Sequence, residues 1–216
     1  MISKLHYITQ EVKGFTHAQL AEKACKGGID WVQLRIKNMP YEELKEQAIE
    51  TLYICRKYGA KLIINDNVLL AKEIEADGVH LGKEDMSPVE ARKILGNDFI
   101  IGGTANTFED IVKHVNAGVN YIGLGPYKYT ATKEKLSAIL GIDGYIKIMK
   151  ACRVSNINTP IVAIGGILQE DVDLLLEAGL HGIALASTIN LSNNVQSKAR
   201  ELMNHLVKQK EESLLS

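Results

Sequence analysis

Apolar residues fall into two patterns along this chain. Eight short blocks lie near Leu5–Ile8, Trp31–Leu34, Leu62–Ile64, Gly78–His80, Phe99–Gly102, Tyr121–Gly123, Ile161–Ala163 and Gly182–Leu185, most of them flanked by Gly, Asp or Asn. Short, mostly β-branched or aromatic blocks of this kind predict strands covered on both faces, as in a parallel sheet. Between them, the segments Thr16–Lys26, Tyr41–Tyr58, Ser87–Leu95, Thr107–Ala117, Ile142–Ala151, Gln169–Ala178 and Asn194–Lys208 carry apolar positions at helical spacing.

Local signals agree with the helices. Thr107-Phe108-Glu109-Asp110 reads as a capped first turn, and Ser87 precedes Pro88 at a first helical position. Gly59, Gly96, Gly118 and Gly179 stand at helix ends, where a left-handed residue is wanted.

Eight strands alternating with helices predict an α/β fold, a single (β/α)8 TIM barrel spanning residues 1–216, with about 209–216 a frayed tail. At 216 residues the chain fits such a barrel as one domain. The doubly wound sheet is the rival, but no glycine-rich phosphate loop follows the first strand. Strand spacing is uneven: 40 residues separate Tyr121 from Ile161, against 22 between Phe99 and Tyr121. The excess lies in Leu124–Gly141, a long loop after strand six, and long βα loops build active sites at the C-terminal face of a barrel.

Composition narrows the function. Hydrophobic residues are 46% and charged residues 24%, with a formal charge of −1, so no global positive field attracts nucleic acid or an anionic membrane. No run of about 18 apolar residues predicts a membrane span, and the start lacks a secretory apolar stretch. Three dispersed cysteines, Cys25, Cys55 and Cys152, have no metal-ligand spacing and fit a reduced, cytoplasmic protein. Barrel precedent allows a homo-oligomer.

Candidate chemistry gathers at the strand ends. Gln33, Arg35 and Lys37 alternate onto one face after strand two, and cations there want an anion or else simply reach solvent. Asp66 follows strand three and Asp85 follows strand four. Two carboxylates on adjacent loops suit Mg2+, although either could merely cap the next helix. His80 reads as a packed or hydrogen-bonded histidine before it reads as a ligand. Thr130-Ala131-Thr132-Lys133 offers hydroxyl and ammonium donors for phosphate, or is a solvated loop. Gly165-Gly166 after strand seven and Ala186-Ser187 after strand eight occupy the usual barrel phosphate position, with a tight turn as the plain alternative for the glycines.

Taken together and in order, Gln33–Lys37, Ile63–Asp66, Ala76–Gly82 with Asp85, Gly123–Pro126, Thr130–Lys133, Val162–Ile167 and Ala186-Ser187 resemble the thiamine phosphate synthase family over roughly residues 33–188. The resemblance implies a transferase of thiamine biosynthesis. It would couple (4-amino-2-methylpyrimidin-5-yl)methyl diphosphate with 4-methyl-5-(2-phosphoethyl)thiazole, release diphosphate, and pass through a pyrimidine methylene cation. It further implies that Gln33, Arg35, Lys37 and Asn65 hold the pyrimidine diphosphate, that Leu34, Ile36 and Thr104 belong to the substrate-binding set, and that Asp66 and Asp85 bind Mg2+. Thr130 and Thr132, with Ala131 between them in the substrate-binding set, would touch the thiazole phosphate or its ring, Lys133 would grip the leaving diphosphate, and Gly165, Gly166, Ala186 and Ser187 would take the thiazole phosphate. Arg35, Lys37 and Lys133 are the implied catalytic cations.

Departures from the family pattern are Thr104 for a usual Ser, Asn106 for a usual His, and Lys128 and Tyr129 for more apolar residues. A thiazole tautomerase would place His where Pro126 stands and would not keep the Thr130–Lys133 pattern. A non-catalytic phosphate-ligand-binding barrel is the other alternative, but Asp66, Asp85 and Lys133 are all present. A phosphosugar isomerase would want a Glu or His base at a strand end, where only His80 stands.

Overall fold

Eight parallel strands pair in chain order and β8 closes back on β1, giving a complete barrel. They are β1 Leu5–Ile8, β2 Trp31–Leu34, β3 Lys61–Asn65, β4 Gly78–Leu81, β5 Ile100–Ala105, β6 Tyr121–Leu124, β7 Ile161–Ile164 and β8 Gly182–Leu185. Each expected strand is found, several one to three residues longer at their C-terminal ends. This computed structural model describes residues 1–130 and 137–215, with side chains through Val207.

Because strand side chains alternate, the strands have two distinct buried faces. Ile8, Trp31, Ile63, Tyr121, Val162 and Ala184 fill the lumen. His6 stacks on Trp31 there, with centroids 4.4 Å apart, and Tyr121 meets Trp31 edge-on at 5.5 Å. The opposite face, with Leu5, Val32, Leu34, Leu62, Ile64, Val79 and Leu81, belongs to the larger core beneath the helices. Gly102 makes the lumen possible. A Cβ there would lie 2.3 Å from the Tyr121 ring and 2.6 Å from His80 Nδ1, so any side chain would expel one of them.

The helices are α1 His17–Lys26, α2 Tyr41–Tyr58, α3 Val68–Glu73, α4 Pro88–Leu95, α5 Phe108–Asn116, α6 Gly141–Val154, α7 Val172–Glu177, α8 Ser187–Asn190 and α9 Val195–Leu215. Thr16, Ser87 and Thr107 each cap a helix through a reciprocal box with the residue three positions on. Gly59 ends α2 in the left-handed conformation.

Three features differ from the sequence reading. Helices α3 and α8 were not anticipated, being only six and four residues long; so short a segment shows barely a turn of periodicity. Gln169–Asp171 forms a 3-10 turn before α7. The backbone of α9 continues as helix to Leu215, past residue 209 where a frayed tail was expected. Lys, Gln and Glu are good helix formers, and neither Gly nor Pro interrupts them. No helix among the described residues is long and apolar enough to cross a membrane, and Cys25, Cys55 and Cys152 are free and buried.

Candidate active site

All eight strands run the same way around a closed barrel, so every residue just past a strand end stands on one rim. Arg35–Lys37 leave β2, Asn65 ends β3 with Asp66 next, Asp85 follows β4, and Thr104 sits near the end of β5. Gly165-Gly166 and Ala186-Ser187 leave β7 and β8. The strand register sets their neighbours: Gln33 faces Ile63, and Asn65 faces His80.

Around β2 to β4 the groups are polar and interlocked. Gln33, buried, donates from Nε2 to Asn65 Oδ1 at 2.8 Å. Lys37 Nζ lies 2.5 Å from Asp66 Oδ2. Asp66 holds a left-handed backbone, φ 65°, which Asp tolerates better than bulkier residues. Its N–H donates to the His80 carbonyl at 2.8 Å, fixing that conformation to the neighbouring strand. Asp85 Oδ2 accepts from the Gly82 N–H at 2.6 Å. Partial burial raises the Asp85 pKa, and the adjoining Asp66 carboxyl raises it further. A shallow pocket of about 350 Å³, lined by Asp66, Asn67, Val68, Leu69 and Met86, abuts them.

His80 is buried and bonded at both ring nitrogens, Nδ1 to the Tyr121 hydroxyl at 2.9 Å and Nε2 to Thr104 Oγ1 at 3.0 Å. That agrees with its reading as a hydrogen-bonded histidine and sets Thr104 as the rim end of a chain rising from the lumen. Arg35 is placed by backbone, its N–H donating to Thr9 Oγ1 at 3.1 Å. The same hydroxyl meets His17 Nδ1 at 2.8 Å.

The opposite side of the rim is built from turns. Gly165 and Gly166 have φ of 94° and 68°. A Cβ on Gly166 would lie 2.6 Å from the Tyr129 carbonyl oxygen, so glycine is required there by conformation and by contact alike. The N–H groups of Tyr127 and Lys128 donate to the Gly165 carbonyl at 3.1 and 2.9 Å, laying the start of the β6 loop against this turn. Thr188 Oγ1 donates to the Ile167 carbonyl at 2.6 Å and joins the β7 and β8 loops. Beside them lies a pocket of about 500 Å³ whose lining includes Gln169, Ser187, Thr188, Ser192 and Lys198.

The structure thus brings Gln33, Arg35, Lys37, Asn65, Asp66, Asp85, Thr104, Gly165, Gly166, Ala186 and Ser187 to one rim, with Thr130, partly buried, on the loop after β6. Leu34 and Ile36 differ from these, since their side chains pack in the core under the helices, leaving only their backbone at the mouth. Ala131, Thr132 and Lys133 lie outside the described residues. Among the described residues no three His, Cys, Asp or Glu side chains form a metal-holding cluster.

Sequence reasoning missed several supporting contacts. Lys128 forms a two-pronged pair with buried Asp171, at 2.7 and 2.9 Å. Lys83 pairs with Asp110 at 2.5 Å, and Thr9 orders the Arg35 backbone. Each partner is more than 25 residues away in sequence, and nothing in local spacing announces it.

Comparison with known proteins adds independent findings. The family described as thiamine monophosphate synthase matches residues 5–189. A thiamine-phosphate synthase of Flavobacterium johnsoniae is 48% identical over 202 residues, covering 94% of this chain and 95% of that protein. One from Bacteroides thetaiotaomicron is 46% identical, covering 93% and 96%. Among solved structures, thiamine phosphate pyrophosphorylase from Pyrococcus furiosus superposes with a TM-score of 0.81 at 30% identity, covering 93% and 94%.

Proposed function

The chain belongs to the thiamine monophosphate synthase family, and from that premise we propose how the residues at its barrel mouth perform the coupling. It is a transferase, a thiamine-phosphate synthase. The proposed substrates are the pyrimidine methyl diphosphate and the thiazole ethyl phosphate. In the reaction the bond between the pyrimidine methylene carbon and the diphosphate oxygen breaks, and the thiazole nitrogen supplies the electron pair for the new carbon–nitrogen bond. Diphosphate leaves with the electrons of the broken bond.

The observation that supports this reading is the Asp66–Asp85–Lys37 cluster. Two neighbouring carboxyls, one of them already drawing an ammonium to 2.5 Å, form a donor set suited to a small hard cation. Mg2+ ordinarily takes one or two protein carboxylates and completes its shell with water and substrate phosphate oxygens, so a pair without a third protein ligand fits it. When bound, Mg2+ would supply positive charge to the diphosphate oxygens.

The chain's own groups would do the rest. Arg35, Lys37 and Lys133 would place positive charge where it develops on the leaving group. Gln33 and Asn65, already bonded to one another, would orient the pyrimidine end, and Thr104 would offer its hydroxyl beside them. Gly165-Gly166 with Ala186-Ser187 would hold the thiazole phosphate through backbone N–H groups, keeping its ring nitrogen near the methylene carbon. No nucleophilic side chain is required.

The direct test mixes the purified protein with both substrates and Mg2+ and follows diphosphate release together with thiamine phosphate formation. Both products are expected in equal amounts, and neither without Mg2+ or with one substrate omitted. Diphosphate release that proceeds equally without the thiazole would show hydrolysis and overturn the coupling role.

A further inference from the structure

Asn106 stands immediately after β5 and is buried. Its amide Nδ2 donates to the Gly125 carbonyl, and its Oδ1 accepts from Ser137 Oγ at 2.9 Å. A carbonyl can only accept, so the Gly125 bond fixes which way the amide faces. Gly125 is where the chain leaves β6, and Ser137 is twelve residues further on. One side chain therefore ties both ends of the segment that carries Thr130. Leu140 and Gly141 add backbone ties behind it, their N–H groups donating to the Pro126 and Tyr127 carbonyls at 2.9 and 3.1 Å.

The anchor itself is rigid. The Asn106 N–H donates to Asp110 Oδ2 at 2.9 Å, and Asp110 completes the capping box of α5 while pairing with Lys83 at 2.5 Å. The position of Gly125 also propagates, because Tyr127 and Lys128 bond the Gly165 carbonyl.

We propose that Asn106 is a positioning residue for the coupling reaction: by holding Gly125 and Ser137 together, it sets where Thr130 and the Gly165-Gly166 turn stand over the mouth. This rests on the synthase reading above. Both bonds are needed, one donor toward a carbonyl and one acceptor toward a hydroxyl. An aspartate keeps the acceptor but turns a second acceptor on the Gly125 carbonyl. Protonating that carboxyl restores a donor, and its pKa should be raised by burial and by nearby Asp110, with Lys83 acting oppositely. His114, bonded to the Thr104 carbonyl, is the neighbouring titratable group and is common to every variant.

The test compares Asn106→Ala, Asn106→Asp, Asn106→His and Ser137→Ala in the full chain, at a temperature where circular dichroism shows each folded. Asn106→Ala should lower kcat/KM at least about tenfold, the scale of losing directed hydrogen bonds at a reaction centre. Asn106→Asp should fall similarly at pH 8, and its ratio to the parent should climb at least about threefold by pH 5.5. Asn106→His, with one donor and one acceptor, should stay near the parent. Ser137→Ala should add little on top of Asn106→Ala. Parental kcat/KM in Asn106→Ala, or a pH-independent Asp variant ratio, overturns the proposal.

Amide exchange at Tyr127, Lys128, Leu140 and Gly141 needs no substrate and should quicken in Asn106→Ala. Unchanged exchange there also overturns the proposal. Quickened exchange in a protein whose parent forms no thiamine phosphate would leave Asn106 as the anchor and refute the synthase reading instead.

Discussion

The ammonium of Lys37 lies 2.5 Å from Oδ2 of Asp66, joining the loop after β2 to the end of β3. Both side chains are partly exposed, at 52% and 26%, so the pair adds at most about 1 kcal/mol to stability. Its importance is in placing charge. Asp66→Ala should leave the fold intact and lower the coupling rate by about a hundredfold or more, with loss of the Mg2+ response. Lys133→Ala should likewise fold and lose rate. Initial rates across a Mg2+ titration check both, and a parental rate in either variant removes that residue from its role.

Asp85 gives a pH signature. Its carboxyl pKa is raised in the folded protein by burial first and by Asp66 second. The native state therefore holds its proton to higher pH than the unfolded chain does, and stability falls as pH rises above the ordinary carboxylate value near 3.8. Above the raised value the whole penalty remains, unless a cation offsets it. In metal-free buffer, the melting temperature of the parent should drop relative to Asp85→Asn between pH 4 and 7. Mg2+ at pH 7 should raise the parent's melting temperature and leave that of Asp85→Asn unmoved. Parallel pH profiles for the two proteins would contradict the assignment.

The barrel was legible because its signals are local. The β2 and β8 blocks match their strands end to end, and Thr107 and Ser87 cap helices where their spacing indicated. Asp66 and Asp85 were legible as a pair because a parallel barrel sends every strand end to one rim. Contacts that couple distant loops were not legible. Asn106 and Lys128 read only as departures from a family pattern, and their partners Gly125, Ser137 and Asp171 are 19 to 43 residues away. The alternation that placed Gln33, Arg35 and Lys37 on one face holds only within β2, which ends at Leu34. Beyond it, bonds such as that from the Arg35 N–H to Thr9 Oγ1 set direction.

Lys128 and Asp171 should matter to stability first. Asp171 Oδ2 also accepts from the Leu168 N–H at 3.0 Å, so the carboxylate both pins the 3-10 turn and answers the ammonium. Lys128→Met leaves a buried carboxylate, whose side chain is only 7% exposed, without its cation. A cost of about 1–3 kcal/mol is expected, because the lysine end is itself half-exposed. Urea unfolding at pH 7 measures it. Asp171→Asn in the Lys128→Met background should recover part of the loss, since the charge left unpaired is then gone. If the double variant is less stable than Lys128→Met, the pair does not act through that buried charge.

His6 should govern the acid side of the stability curve. It is buried against Trp31, and its Nε2 lies 3.1 Å from the Ser3 carbonyl oxygen, which can only accept, so Nε2 carries a hydrogen. Burial lowers its pKa from 6.5 to about 3, helped by His80 nearby. Between these values the unfolded chain binds a proton that the native state refuses. The contribution of His6 is therefore fully present above pH 6.5 and lost as pH falls toward 3, at up to about 1.4 kcal/mol per pH unit. Buried His17 is shifted the same way by burial, so the parent's slope combines both. His6→Phe keeps an aromatic face for Trp31 and removes the titration. Its urea midpoint should therefore change less than the parent's between pH 6.5 and 5, even if the variant is less stable overall. Equal slopes for the two proteins would mean that His6 does not remain neutral in the folded barrel.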